Sequence, residues 1–323
     1  MRWMDWGEDV DFVILRQYLN PMEKLLSKTQ FVDFEPGEFA DKQLRTYDEV
    51  ISLIDTFPWE KQREHIQIGL TNPGVLIETD NPTWLKLALY YNGKFVLYFF
   101  DGSNLYSKSL SLRSEAYPFI SQYFDKGDID LSVFKKENLL FKHVAEHFVT
   151  NNFEYTVTKK RIREFLQHSS LFNFLTSIVF FIMAVFSLFR HNYTTSIVCF
   201  IFMMLLGGLA NLLLFFNYYR YMERKILIIS KGNESFWYGN IYNPRLYDKK
   251  NIERIEIESS YLQNSKGNFW AEFAIYKIYF SNKDFPIAFT SLLINKSDFR
   301  NKFNPVIVKE VYETFPFFNT DVV

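Results

Sequence analysis

LFNFLTSIVFFIMAVFSLF at Leu171–Phe189 and TTSIVCFIFMMLLGGLANLLLFF at Thr194–Phe216, with Arg190-His191-Asn192-Tyr193 between them, decide how the chain is read. Neither run holds a charged side chain. At 1.5 Å per residue each, as a helix, is long enough for a hydrocarbon core of roughly 30 Å. A core helix of a globular protein carries a polar stripe, which these runs lack. The spacing therefore predicts two antiparallel transmembrane helices, since backbone polar groups in lipid are satisfied within the helix.

The flanks set the expected topology. Lys159, Lys160, Arg161 and Arg163 precede the first run and Arg220, Arg224 and Lys225 follow the second, whereas only Arg190 stands between them. The positive-inside rule then places both termini in the cytoplasm of an inner (plasma) membrane protein. The start of the chain, with Glu8, Asp9 and Asp11, does not read as a signal peptide. Cys199 is the one cysteine, so no intrachain disulfide forms, as suits a reducing compartment. Residues 1–170 hold 20 basic and 25 acidic side chains and residues 217–323 hold 15 and 12. Neither balance is basic enough for nucleic acid as a partner.

Outside the hairpin the pattern is mixed. Val10, Val13, Ile14 and Tyr18 share a helical face. Thr46 and Glu49 have capping-box spacing ahead of Val50, Ile51, Leu53 and Ile54, which predicts a helix over 47–56. Runs of β-formers follow, and Asn92-Gly93 marks a two-residue hairpin turn between Trp84–Tyr91 and Lys94–Phe100. A helix running to about Phe124 closes an antiparallel meander with helices on one face. After the second apolar run, Lys225–Ser230, Ser235–Tyr238, Ile252–Glu258, Ala271–Ser281 and Phe285–Phe289 read as strands, with Asn243-Pro244 as a turn. Asn304-Pro305 ahead of Val308, Val311, Tyr312 and Phe315 predicts a terminal helix. The expected fold is an α+β multidomain membrane protein: an α+β domain over 1–150, a juxtamembrane connector over 151–170, the transmembrane hairpin over 171–216 and a small β domain over 217–323.

Ile226-Leu-Ile-Ile-Ser230, Phe236-Trp-Tyr-Gly239, Ile252-Glu-Arg-Ile-Glu256 and Phe289-Thr-Ser-Leu-Leu293 give residues 224–318 their character. This region resembles the pleckstrin-homology-like (PH-like) domains that follow a two-helix hairpin in bacterial membrane proteins. Leu85–Phe100, Ala116-Tyr117-Pro118-Phe119-Ile120 and Phe134-Lys135-Lys136-Glu137-Asn138 are similar to small bacterial domains associated with toxin–immunity loci. The second resemblance implies an immunity-type binding role.

Residues with chemical potential are few. His143-Val-Ala-Glu146-His147 is an H-x-x-E-H string, in which two imidazoles on one helical face bind zinc and the glutamate acts as base. Asp9-Val-Asp11 and Asp128-Ile-Asp130 have the spacing of divalent-cation pairs. Gly207, Gly208 and Ala210 allow close helix packing, and Asn211 adds a polar group there. Arg220, Arg224, Lys225, Arg245, Lys249 and Lys250 could face lipid headgroups.

The residues contain no P-loop and no nucleophile elbow. The expected function is non-enzymatic: a membrane-tethered adaptor or immunity-type protein whose N-terminal domain captures a protein partner, a toxin among the candidates. The expected partners are the bilayer, that protein and further copies of the chain. No cofactor is expected. The alternatives are a membrane-bound zinc hydrolase using His143, Glu146 and His147, and an oligomeric channel or transporter subunit.

Overall fold

The computed structural model describes residues 24–64, 70–137, 147–204, 210–260, 272–283, 285–303 and 308–319, without the side chains of 168–177, 203, 204 and 210. The chain divides into two units, Met1–Asn151 and Asn152–Val323.

The first unit is built on one antiparallel sheet. Its strands are β1 (Leu25–Gln30), β2 (Ala40–Arg45), β3 (Gly74–Glu78), β4 (Trp84–Leu89), β5 (Phe95–Phe100), β6 (Leu105–Leu110) and β7 (Lys135–Lys136), in the order β2-β1-β3-β4-β5-β6-β7. Helices α1 (Tyr47–Thr56), α2 (Trp59–Arg63) and α3 (Tyr117–Lys126) complete it. Thr46 caps α1 as its sequence requires: the hydroxyl accepts from Glu49 N and the Glu49 carboxylate accepts from Thr46 N. Asn92 and Gly93 take positive φ of 52° and 74°, which lets β4 turn straight into β5.

Every residue of β4 and β5 is buried, so both faces of the sheet are covered. Val75, Leu85, Leu87, Leu97 and Phe99 pack with Val50 and Ile54 of α1 and Ile120 and Tyr123 of α3. The opposite face joins Leu76, Ala88, Val96, Tyr98 and Phe100 to Phe148. Two lysines lie with them, Lys28 and Lys86, both at 0% exposure. Lys28 Nζ donates to Glu78 Oε2 (2.6 Å), Phe148 O (2.9 Å) and Thr150 Oγ1 (3.0 Å).

The second unit begins with β8 (Glu154–Thr156) and continues through helices α4 (Lys159–Phe189), α5 (Tyr193–Met204) and α6 (Ala210–Met222). Then come β9 (Lys225–Ile228), β10 (Ser235–Asn240), β11 (Asn243–Asp248), β12 (Ile252–Ser259), β13 (Ala274–Phe280), β14 (Ile287–Thr290), α7 (Lys296–Asn301) and β15 (Val308–Tyr312). Two four-stranded sheets result, β11-β10-β9-β8 and β14-β13-β12-β15. Their shared core holds Leu227, Phe236, Tyr238, Tyr247, Ile255, Ile257, Tyr276, Phe280, Phe289 and Phe299. Tyr238 and Tyr276 satisfy their hydroxyls on Ala288 O (2.7 Å) and Ile294 O (3.2 Å). Arg161, in the first turn of α4, donates to Ser291 O and Leu292 O, and Tyr218 of α6 donates to Pro316 O.

The transmembrane reading is corrected here: among the described residues no helix is long and apolar enough to cross a membrane. Helices α5 and α6 are described over 12 and 13 residues, on either side of residues 205–209, which lie outside the description. The first turns of α4 carry Lys159, Lys160, Arg161, Arg163 and Glu164, with Phe165 buried among them. The expected membrane fold class goes with that reading, as does the multi-pass inner-membrane placement with cytoplasmic termini. Helices α4 and α5 do pack on each other, Ser196 Oγ donating to Ala184 O (2.9 Å) and Phe180 stacking on Phe202.

A second correction concerns the chain end. Val308–Tyr312 is a strand, parallel to β12, and not the expected helix. Its β-branched valines fill the open edge of β12, while Glu310 pairs with Lys296 and Arg300 of α7. The helix lies earlier, where Asn295 Oδ1 accepts from Asp298 N (2.7 Å) as its N-cap.

Candidate functional site

The β10–β11 hairpin of the second unit gathers the features of a binding surface. Asn240 pairs with Asn243 around a two-residue turn, Ile241-Tyr242, and Gly239 stands opposite Pro244. Gly239 has φ of 151°, and a Cβ there would lie 3.3 Å from Asn243 O and from Pro244 Cα, so glycine suits the close approach. Pro244 has no N–H, which makes Gly239–Pro244 a non-hydrogen-bonded pair. Pairs alternate along an antiparallel ladder, so Trp237–Leu246 is non-hydrogen-bonded too. Because β11 is the last strand of its sheet, the Leu246 N–H and C=O face an open edge.

The two sides of the hairpin differ. Phe236, Tyr238 and Tyr247 are buried in the core, whereas Trp237 (43%), Leu246 (53%) and Tyr242 (89%) are exposed. Trp237 and Leu246 are cross-strand neighbours, so they form one apolar shelf. Beside it opens a cleft of about 410 Å³ whose lining includes Leu246, Tyr247, Phe280 and Lys283 together with the carboxylates of Glu234 and Asp248. Lys283 Nζ lies 3.9 Å above the Tyr247 ring and 5.3 Å from that of Phe280.

The two carboxylates of the lining are occupied. Glu234 Oε2 accepts from Lys250 Nζ at 2.5 Å, and Asp248 Oδ1 accepts from Lys250 N at 2.8 Å. Among the described residues neither Lys283 nor Arg245 has a carboxylate in ion-pair contact. Burial lowers the Lys283 pKa, and the Arg245 charge lowers it further. The site therefore offers an apolar shelf, an aromatic cleft, two cations and a free strand edge.

The residues singled out in the sequence are scattered. Lys249 Nζ is an internal cap, donating to Ser230 O (2.5 Å), Lys231 O (3.1 Å) and Lys302 O (3.0 Å), while Lys250 pairs with Glu234. Arg220, Arg224 and Arg245 are exposed and Lys225 is half-buried, its Nζ 6.0 Å from the Tyr238 ring. Asn211 and Cys199 are buried; Gly207 and Gly208, and the side chain of Ala210, lie outside the description. His143 and Glu146 also lie outside the described residues, as do Asp9, Asp11 and the helix expected over Val10–Tyr18, whereas His147 is half-buried. Asp130 caps a short turn by accepting from Ser132 N (2.9 Å), and Asp128 accepts from Ile129 N (2.8 Å). Among the described residues no group of three or more His, Cys, Asp or Glu is placed to hold a metal ion.

Sequence reading passed over Trp237, Leu246, Tyr247, Phe280 and Lys283 as site residues. It took Asn243-Pro244 for a turn, although proline in an alternating run such as Asn243-Pro-Arg-Leu-Tyr-Asp248 is the mark of an edge strand.

Compared with known families, residues 154–302 match a model described as a PH domain, so a PH-like domain occupies that stretch. No curated protein and no solved structure matches the chain.

Proposed function

We propose that the chain is a non-enzymatic adaptor whose PH-like domain captures a protein partner through the β10–β11 hairpin. The observation that carries this reading is the exposed Trp237–Leu246 pair beside an aromatic cleft. Interfaces are built this way: aromatic and aliphatic anchors at the centre, polar groups at the rim. The cleft walls, Tyr247 and Phe280, are held in the core with their rings in tilted contact at 5.4 Å, so the surface is pre-organised. The resemblance of Leu85–Phe100 and its neighbours to toxin–immunity domains makes a toxin the first partner class to try.

The test is co-purification of the full chain from cells that produce it, beside Trp237→Glu. Trp237 is at the surface, so the substitution leaves the core intact. A protein retained by the wild type and lost from the variant supports the reading. Identical retention by both contradicts it.

A further inference from the structure

We propose that the open edge of β11 takes up an extended strand of a partner protein, one that alternates apolar and acidic side chains. The proposal rests on the protein-binding reading above and specifies the partner's chemistry. Its first ground is the backbone. Leu246 N–H and C=O point away from β10, and the C=O of Pro244 does the same, because the pairs Gly239–Pro244 and Trp237–Leu246 are not hydrogen-bonded. Unpaired groups of this kind are a template for strand addition. Pro244 offers no donor, so the added strand is short, centred on Leu246, and side chains must supply the rest of the recognition.

Those side chains fall on two faces, because residues of the added strand alternate as β11 does. A residue opposite Leu246 lies on the outer shelf, next to Trp237, and an apolar side chain suits it. Residues opposite Arg245 and Tyr247 lie on the cleft side, where Lys283 lines the cleft, Arg245 stands close enough to act on it, and neither has a carboxylate in ion-pair contact among the described residues. An Asp or Glu there neutralises both cations. A second copy of this chain pairing through β11 would instead add another Arg245 and Lys283 to the same groove. Charge complementarity therefore selects an acidic strand over self-association.

The experiment uses the full chain and three fluorescein-labelled eight-residue probes: alternating Val and Glu, alternating Val and Lys, and the Val–Glu peptide N-methylated throughout. Binding is read by anisotropy. The Val–Glu probe is expected to bind, with the other two weaker by about tenfold or more, the scale of a lost hydrogen bond or charge pair. Lys283→Glu is expected to reverse the preference between the Glu and Lys probes. Leu246→Pro removes one outward N–H while leaving the hairpin's own ladder intact, and is expected to abolish the tight mode. Failure of the Val–Glu probe to bind, or equal binding by its N-methylated form or by Leu246→Pro, overturns strand addition. Equal binding of the Lys probe overturns the acidic preference. If Leu246→Pro fails to fold, the N-methylated probe decides alone. None of these failures touches the broader reading, which Trp237→Glu tests separately.

Discussion

Lys86 donates from its ammonium to Gln30 Oε1 across 2.5 Å and to Leu70 O across 2.8 Å, with no carboxylate partner among the described residues. Its strand neighbours are buried on both faces, and the nearest like charge, Lys28, has taken Glu78 for itself. Burial, reinforced by Lys28, brings the Lys86 pKa down from 10.5 to about 7.

A pH dependence follows from that shift. Between about 7 and 10.5 the unfolded chain holds a proton on Lys86 that the folded chain does not. Stability therefore rises with pH across that window, by about 1 kcal/mol per unit from this group, and the whole penalty stands below it. Lys28 is shifted in the same direction by burial, despite Glu78. Tyr98, the cross-strand neighbour of Lys86, has its pKa raised by burial, so its opposite effect begins only above pH 10. Urea denaturation of the first unit's signal between pH 7 and 9.5 should show the slope, and Lys86→Met should flatten it.

Gly74 and Gly93 separate two reasons for glycine. A Cβ on Gly74 would overlap the carbonyl oxygen of Leu87 and sit 2.8 Å from Ala88 Cα, both backbone atoms of β4. Gly74→Ala should therefore cost roughly 3 kcal/mol, because the strands must part. Gly93 has open space around it but φ of 74°, so Gly93→Ala should cost only about 1 kcal/mol. Equal losses in denaturation would contradict this division.

Lys249 offers a test of structural against surface use. Its ammonium donates to three carbonyls, those of Ser230, Lys231 and Lys302. Lys249→Met should destabilise the PH-like domain by about 2 kcal/mol, since those acceptors lose a charged donor. Arg245→Met, at an exposed site, should change stability by less than about 0.5 kcal/mol. Thermal unfolding of the two variants distinguishes the roles.

Asn217 holds the chain end. Its Nδ2 donates to Phe318 O (3.0 Å) and its Oδ1 accepts from Phe318 N (2.8 Å), while the Phe318 ring packs on Tyr221. Asn217→Ala should free residues 313–319 for limited proteolysis at a protease level that leaves the wild type whole. Unchanged cleavage would show that Tyr218, which bonds Pro316 O, suffices as the anchor.

Local signals were the legible ones. The Thr46–Glu49 box and the Asn92-Gly93 turn act within a few residues, and both appear where the sequence places them. The PH-like domain was also legible, as a resemblance carried by Ile226–Ser230, Phe236–Gly239, Ile252–Glu256 and Phe289–Leu293, although the matched stretch begins at residue 154 and not at 224. Strands whose character depends on distant partners were not. β1 carries Lys28 and Gln30 into a buried face; Gln30 finds Glu35 O and Glu38 O nearby, but the partners of Lys28 and the lysine on Gln30 Oε1, namely Glu78, Phe148, Thr150 and Lys86, lie far away in the chain. β2, Ala40-Asp-Lys-Gln-Leu-Arg45, is largely exposed, as an edge strand is, and shows no apolar alternation. Val308–Tyr312 has helical spacing, yet the vacant edge of β12 outweighs it. Hydropathy over 171–216 indicated an apolar stretch without showing that the first helix already begins at Lys159. The site was the least readable part, because Lys283 and Tyr247 meet only once β13 folds against β11.

The most direct measurement is site-specific photocrosslinking in living cells from position 246 of the full chain, with position 253, an exposed residue of β12, as control. The account expects one discrete protein adduct from position 246, absent from position 253 and lost when Trp237→Glu is added. Adducts that are the same from both positions, or that survive Trp237→Glu, would contradict capture of a partner by the β10–β11 hairpin.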